Sequence, residues 1–237
     1  ITDNVLVAYV RFHTIKNKRV GKEGLCAIKP DMHKAYDRVE WPFLKGIMLK
    51  LGFYERWVNL IMKCVSTVEY RVWINDEETE SFKPTRGLRQ GDPLSPYLFL
   101  LCTEGLTALL VHAEEIGNIS GVKVSREAPT ITNLLFADDS LILMKANQQN
   151  AETLKSILDL YCAASGQMVS VEKSSIFFSP NTSGDIREQI FSILKIMIEA
   201  LNDKYLGLPA HVGLDKTDCF QYLIDRIVMK ISGRKEK

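Results

Sequence analysis

Residues 132–144 read TNLLFADDSLILM, an apolar run with two adjacent aspartates, Asp138 and Asp139, at its middle. Few arrangements accommodate that pattern. A helix would carry both charges into its apolar stripe, whereas a β-hairpin places them at the reversal and keeps Leu134–Phe136 and Leu141–Leu143 in paired strands. Asp suits such a reversal because its short side chain bonds nearby backbone and tolerates left-handed dihedrals. The hairpin alone accounts for the geometry. It does not account for two carboxylates side by side, since each raises the cost of ionising the other unless a cation screens them.

A third acid stands in a comparable place. The segment LCAIKPD is a short buried strand that ends on Asp31. A strand-end acid beside an acidic hairpin reversal is a sensible way to build a divalent-cation site, because Mg²⁺ takes oxygen ligands and binds through one or two carboxylates plus substrate phosphates. Two such ions about 3.5–4 Å apart would serve an in-line displacement at phosphorus.

The remaining chain frames these acids. Residues 2–16 have helical periodicity with Val5, Leu6, Tyr9 and Phe12 on one side, and KNKRVGKEG is a loop. Trp41-Pro42 opens a helix that Gly52 ends, and residues 54–64 form another. Residues 70–75 are a strand returning through an acidic turn at 76–80. Ser95 is the expected N-cap of a long helix to about Glu115, with Pro96 in its first turn. A helix spans 151–164 up to Gly166, SSIFFS is a strand, and SPNTSG (179–184) is the best boundary, followed by an amphipathic final helix. Strands linked by short hairpins and alternating with helices predict an α+β fold with a mainly antiparallel sheet.

The chain has 46% hydrophobic and 25% charged residues, as ordinary globular chains do. No uninterrupted apolar run reaches the ~18 residues of a membrane span. A net charge of +1 gives no global argument for nucleic acid. Locally, Arg11, Lys16, Lys18, Arg19 and Lys22 cluster early and Lys230, Arg234, Lys235 and Lys237 late. Five scattered cysteines without a Cys-x-x-Cys pair, and four histidines without zinc spacing, predict inert core thiols in a reducing intracellular compartment, nucleus or cytoplasm.

DMHKAYDRVEW (31–41), RGLRQGDPLSPYLFLL (86–101), LLFADDSLIL (134–143), SGQMVSVEKSSIFFS (165–179) and YLGLPA (205–210) follow one another in this order. Together they resemble the reverse transcriptase domain of non-LTR (LINE-class) retrotransposons, most closely those of plants. The resemblance implies an RNA-directed DNA polymerase palm with partial fingers and the beginning of a thumb: residues 1–28 as fingers and palm lead-in, 29–180 as palm, 181–237 as the start of the thumb or connection. It implies two Mg²⁺ ions (Mn²⁺ as an alternative), dNTPs, an RNA template and a DNA primer, no membrane, and an upstream endonuclease domain of the same element; it implies nothing about oligomeric state.

By position, the resemblance makes Asp31 and Asp138 the ligands of both ions and Asp139 the supporting acid. Tyr36 matches the aromatic beneath the incoming sugar that excludes a 2′-hydroxyl. Arg89, Gln90 and Gly91 match the loop that meets template and nucleotide, with Arg86 beside it on the template–primer side. Lys173 matches the basic residue near the triphosphate, placed to protonate pyrophosphate. Asp37 and Arg38 are expected to form a structural pair.

One departure stands out. Pro30 replaces the family's apolar residue, and a proline in a central strand removes a ladder N–H, which predicts strain beneath Asp31. With the fingers expected upstream of residue 1, it motivates an alternative: a catalytically inactive remnant, or an adopted palm-like domain that binds nucleic acid or protein. A metal-dependent nuclease would use the same acids but leave Tyr36 and the RQGDPLSP loop without a purpose.

Overall fold

A computed structural model describes residues 2–125, 127–137, 139–199, 204–206, 208–209 and 216–232. In chain order the elements are α1 (Thr2–Asn17), β1 (Gly24–Lys29), α2 (Trp41–Lys50), α3 (Glu55–Ser66), β2 (Trp73–Ile74), β3 (Glu77–Glu78), α4 (Ser95–Glu115), β4 (Asn133–Phe136), β5 (Asp139–Ala146), α5 (Gln148–Ser165), β6 (Ser175–Phe178), α6 (Gly184–Leu194), β7 (Ile198–Glu199), β8 (Lys204–Tyr205), β9 (Leu208–Pro209) and α7 (Lys216–Ser232). The fold is α+β, as the hairpin-rich pattern predicts.

The main sheet has the order β4-β5-β1-β6-β7. All its pairs are antiparallel except β6–β7. The three central strands are apolar at successive positions because both faces are covered. Cys26, Ile28, Ile142, Met144, Ile176 and Phe178 face a core with residues of α4, α5 and α6. The alternate residues Leu25, Ala27, Leu141, Leu143 and Phe177 pack on Ala8 and Ile15 of α1. A further core joins α2, α3 and the first half of α4 through Leu44, Met48, Val58, Leu98 and Phe99. α4 is long and apolar enough, by length and composition, to cross a membrane; here its Leu98, Phe99, Cys102, Leu106 and Leu110 are buried inside the protein.

Several expectations are corrected. The buried side of α1 is Ala8, Arg11 and Ile15, while Leu6 is exposed. Arg11 turns inward because its guanidinium donates to the carbonyls of Val122 (2.9 Å) and Pro129 (3.2 Å). It satisfies buried backbone rather than offering a surface charge, and burial lowers its pKa. Ser95 is not the cap of α4: Leu94 is, and its N–H donates to the Asp92 carboxylate at 2.8 Å. The hairpin at 70–82 reverses more tightly than 76–80, at Asn75 and Asp76, whose φ values of 51° and 62° are those of a two-residue type I′ turn. The loop 179–184 is not a break in packing, since Ile190, Leu194 and Ile196 beyond it are buried in the same core as β1. α5 follows expectation, with Asn147 accepting from the Asn150 N–H and Gly166 left-handed at the C-cap.

The expected strain at Pro30 is also overturned. β1 pairs with β5 up to Ile28 and with β6 up to Lys29. Pro30 therefore falls just past the last ladder position, where its lack of an N–H costs no strand bond.

The four cysteines with described side chains divide by environment. Cys26 and Cys102 are buried, Cys162 is half-buried and Cys64 is exposed, so the expectation of inert core thiols fails at Cys64. Desolvation pushes the Cys102 thiol up to about 12, which leaves a thiolate fraction at pH 8 of about 10⁻⁴. Alkylation of the native protein is therefore expected at Cys64 with Cys26 and Cys102 spared, as read by peptide mass spectrometry. Early labelling of Cys102 would show that the core around α4 opens.

Candidate active site

Asp31 and Asp139 lie at the same end of the main sheet. Ile28 of β1 stands opposite Ile142 of β5. Asp31 follows β1 by two residues and Asp139 opens β5, so both acids lie at the end of the sheet where the β1–β5 ladder stops. Asp139 opens β5 as the register partner of Phe136. Between them the chain reverses through Ala137, whose φ of 51° is unusual for a residue with a Cβ. Backbone strain of this kind, worth of order 1–3 kcal/mol, concentrates at functional sites. Asp138 lies outside the described residues.

Lys29 Nζ lies 3.9 Å from Asp139 Oδ1. Among the described residues no three His, Cys, Asp or Glu side chains gather as a metal site; the donor set there is two carboxylates at adjoining strand ends. Hard oxygen donors of this type fit Mg²⁺, and neither residue is a soft ligand that would favour another ion.

Asp31 is fixed through its backbone by a distant segment. Its N–H donates to Ser174 Oγ at 2.9 Å, and its carbonyl accepts from the Ser170 N–H at 2.8 Å. Lys173 is exposed within the turn that these two serines close. The same segment continues along the next residues of the DMHKAYDRVE box. Met32 pairs with Val169, the His33 N–H donates to Met168 O, Gln167 Nε2 donates to Ala35 O (2.8 Å), and the Glu40 N–H donates to Ser165 O. Gly166 makes this approach possible: it is left-handed at φ +78°, and a Cβ there would stand 2.4 Å from Arg38 O.

Tyr36 begins a single 3₁₀ turn, Tyr36–Arg38. Its ring stacks on Phe99 of α4 with centroids 4.7 Å apart and planes 16° apart. Asp37 and Arg38 do not pair with each other, contrary to expectation. Arg38 Nε donates to Gly166 O at 3.0 Å, and Asp37 accepts from Gln90 Nε2 at 3.4 Å.

The loop carrying Arg86, Arg89, Gln90 and Gly91 is docked onto that turn. The N–H groups of Gly87 and Leu88 donate to Val39 O and Tyr36 O, both at 2.8 Å, and Trp41 Nε1 donates to Gly87 O. Gly87 is left-handed, and a Cβ would meet Asp37 O at 2.8 Å. Arg86 lies 3.3 Å from Glu40. Gly91 is left-handed with open space where a Cβ would point, so it is chosen for backbone conformation rather than for contact. Arg86, Arg89 and Gln90 line an open cleft of about 560 Å³ between this loop, the end of α3 and the Tyr70–Phe82 bridge that flanks the β2–β3 hairpin; Asp31, Tyr36, Asp139 and Lys173 do not.

The described predicted residues thus form two groups joined by residues 36–40: Asp31 and Asp139 with Lys173 at the sheet end, and the arginine–glutamine loop over the cleft. Sequence reasoning missed the holders Ser170, Ser174, Gln167 and Gly166. The only signal for them is the SGQMVS…KSS pattern, in which a glycine after a helix is followed by small polar residues.

A family model described as reverse transcriptase (RNA-dependent DNA polymerase) matches residues 4–223. An uncharacterized mitochondrial protein of Arabidopsis thaliana is 61% identical over 57 residues, 24% of this chain and 47% of that protein. The transposon TX1 149 kDa protein of Xenopus laevis is 28% identical over 88% of this chain and 15% of its own length. A Pol polyprotein of the type-1 retrotransposable element R2 of Popillia japonica is 25% identical over 73% of this chain and 27% of its own. The match spans under half the length of each of these relatives. Among solved structures, telomerase of Candida albicans, in complex with a fragment of telomeric RNA, superposes with a TM-score of 0.58 at 13% identity, over 90% of this chain and 33% of that one.

Proposed function

Because the chain belongs to the reverse transcriptase (RNA-dependent DNA polymerase) family, with relatives among non-LTR retrotransposon proteins, we propose that it carries the palm of an RNA-directed DNA polymerase that adds dNTPs to a primer 3′-hydroxyl. The observation that supports the reading is the placement of Asp31 after β1 and Asp139 at the start of β5, at one end of the sheet, with the arginine–glutamine loop hydrogen-bonded to the Tyr36 turn.

In this reading Asp31 and Asp138 hold two Mg²⁺ ions and Asp139, beside Lys29, supports them. Bound Mg²⁺ supplies activation of the attacking hydroxyl and neutralisation of the leaving pyrophosphate. The protein's own part is positioning, which carries most of the catalysis in phosphoryl transfer. Tyr36, braced from one side by Phe99, presents a rigid edge to the sugar of the incoming nucleotide. Gln90, oriented by Asp37, and Gly91 meet that nucleotide, while Arg86 and Arg89 meet the template–primer phosphates across the cleft. Lys173, on the turn that holds Asp31, faces the triphosphate as proton donor to pyrophosphate. Residues 29–180 are the palm on this proposal and residues 181–237 lead to the thumb, with an endonuclease domain upstream in the element and the site of action inside the cell.

The test is metal-dependent primer extension on an RNA template by the purified chain. Template-directed extension supports the proposal. RNA binding without extension would favour the non-catalytic alternative. Tyr36→Ala is expected to relax discrimination against ribonucleotides by at least about tenfold, read as the ratio of kcat/KM for dNTP over rNTP. An unchanged ratio would remove Tyr36 from sugar selection.

A further inference from the structure

We infer that the Ser174 hydroxyl is the positioning residue for Asp31, locking the acid and Lys173 into one unit in place of a strand ladder. The inference rests on the reading of Asp31 as a metal-holding acid. Pro30 has no N–H, so the first main-chain donor beyond β1 is that of Asp31, and it has left the sheet's hydrogen-bonding register. That N–H goes to Ser174 Oγ at 2.9 Å. The same oxygen donates its proton to Ser170 O at 2.7 Å. The Ser170 N–H returns to Asp31 O at 2.8 Å.

The result is a closed ring in which both polar groups of the Asp31 main chain are satisfied by one turn, residues 170–174. A side chain in this ring must accept and donate at a single atom, which a hydroxyl does and a methyl cannot. Ser174 is fully buried, so water does not replace the hydroxyl if it is removed. Lys173 lies inside the turn, its own N–H donating to Ser170 O at 3.1 Å. The acid on one side and the basic residue on the other are therefore set by the same two serines. Ser170 contributes only backbone atoms to the ring. The side-chain dependence falls on Ser174.

The experiment titrates Mn²⁺ into the whole chain by electron paramagnetic resonance, without nucleotide or primer. It compares wild type with Ser174→Thr, Ser174→Val and Asp31→Asn. Thr and Val have the same shape and differ by the hydroxyl. Ser174→Thr is expected to bind Mn²⁺ within about twofold of wild type and Ser174→Val about tenfold more weakly, the weight of one buried hydrogen bond. If Ser174→Val does not fold, Ser174→Cys takes its place with an intermediate loss, because a thiol donates and accepts weakly. Binding by Ser174→Val or Ser174→Cys as tight as by Ser174→Thr overturns the inference. Asp31→Asn binding Mn²⁺ like wild type overturns the metal reading of Asp31 and the inference with it. The expected binding pattern in a chain that gives no primer extension supports the inference and defeats only the polymerase reading.

Discussion

Asp31→Asn lowers primer extension by at least about a hundredfold, the weight of one lost preorganised charge at a phosphoryl-transfer site, while leaving the unfolding midpoint nearly unchanged. The two outcomes separate because the residue's structural and chemical roles use different atoms. The main chain of Asp31 is held by Ser174 and Ser170, and these bonds do not involve the carboxylate. The side chain sits half-buried at a strand end, where an isosteric amide fits. What the amide lacks is the negative charge that, on the proposed function, holds a cation. Asp138→Ala is expected to be as severe. Asp139→Asn is expected to cost less, near tenfold by the ordinary scale of a supporting charge, since Lys29 already lies beside that carboxylate. Single-turnover extension at saturating dNTP, with urea unfolding as the control, measures both quantities. Near-normal extension by Asp31→Asn would exclude it from the metal site.

Gly166→Ala carries the largest expected loss of stability. The backbone at Gly166 is left-handed, and an added Cβ would stand 2.4 Å from Arg38 O and 2.7 Å from Glu40 Cγ. The conformational cost is about 1–2 kcal/mol and the forced separation adds about 1–3 kcal/mol, giving a loss of roughly 2–5 kcal/mol. The strain spreads along the bonds from Glu40–Ser165 to Asp31–Ser170, because each is one rung of the same pairing. Extension should therefore fall together with stability, and the Mn²⁺ affinity with them. A urea midpoint equal to wild type would show that residues 31–40 and 165–170 separate at little cost. Gly91→Ala offers the contrast: its φ is also positive but its Cβ would meet nothing, so only the conformational part applies.

Much of this was legible along the chain wherever periodicity and turn chemistry agree with tertiary packing. The hairpin around FADD, the helix opened by Trp41-Pro42, the long helix after Pro96 and the Gly166 stop all follow from local rules and stand in the structure. Local rules failed where a distant partner changes a residue's preference. Arg11 reads as a surface charge until Val122 and Pro129 present carbonyls to it. Pro30 reads as a strand breaker until the end of both ladders is seen to precede it. Ser95 reads as a cap, but the helix starts at Ser95 with Leu94 as its cap, and the Asp92 carboxylate accepts from the Leu94 N–H.

The sequence by itself determined the residue types of the site, their order, and an α+β fold, because motif order, hydrophobic period and turn residues are properties of neighbours in the chain. Only the tertiary structure decided which partners hold them. The Asp31–Ser174 bond spans 143 residues and the Ala35–Gln167 bond 132. Hydrogen bonds at that separation leave no period or spacing to read; they exist because the register of β1 with β5 and β6 brings the two segments alongside.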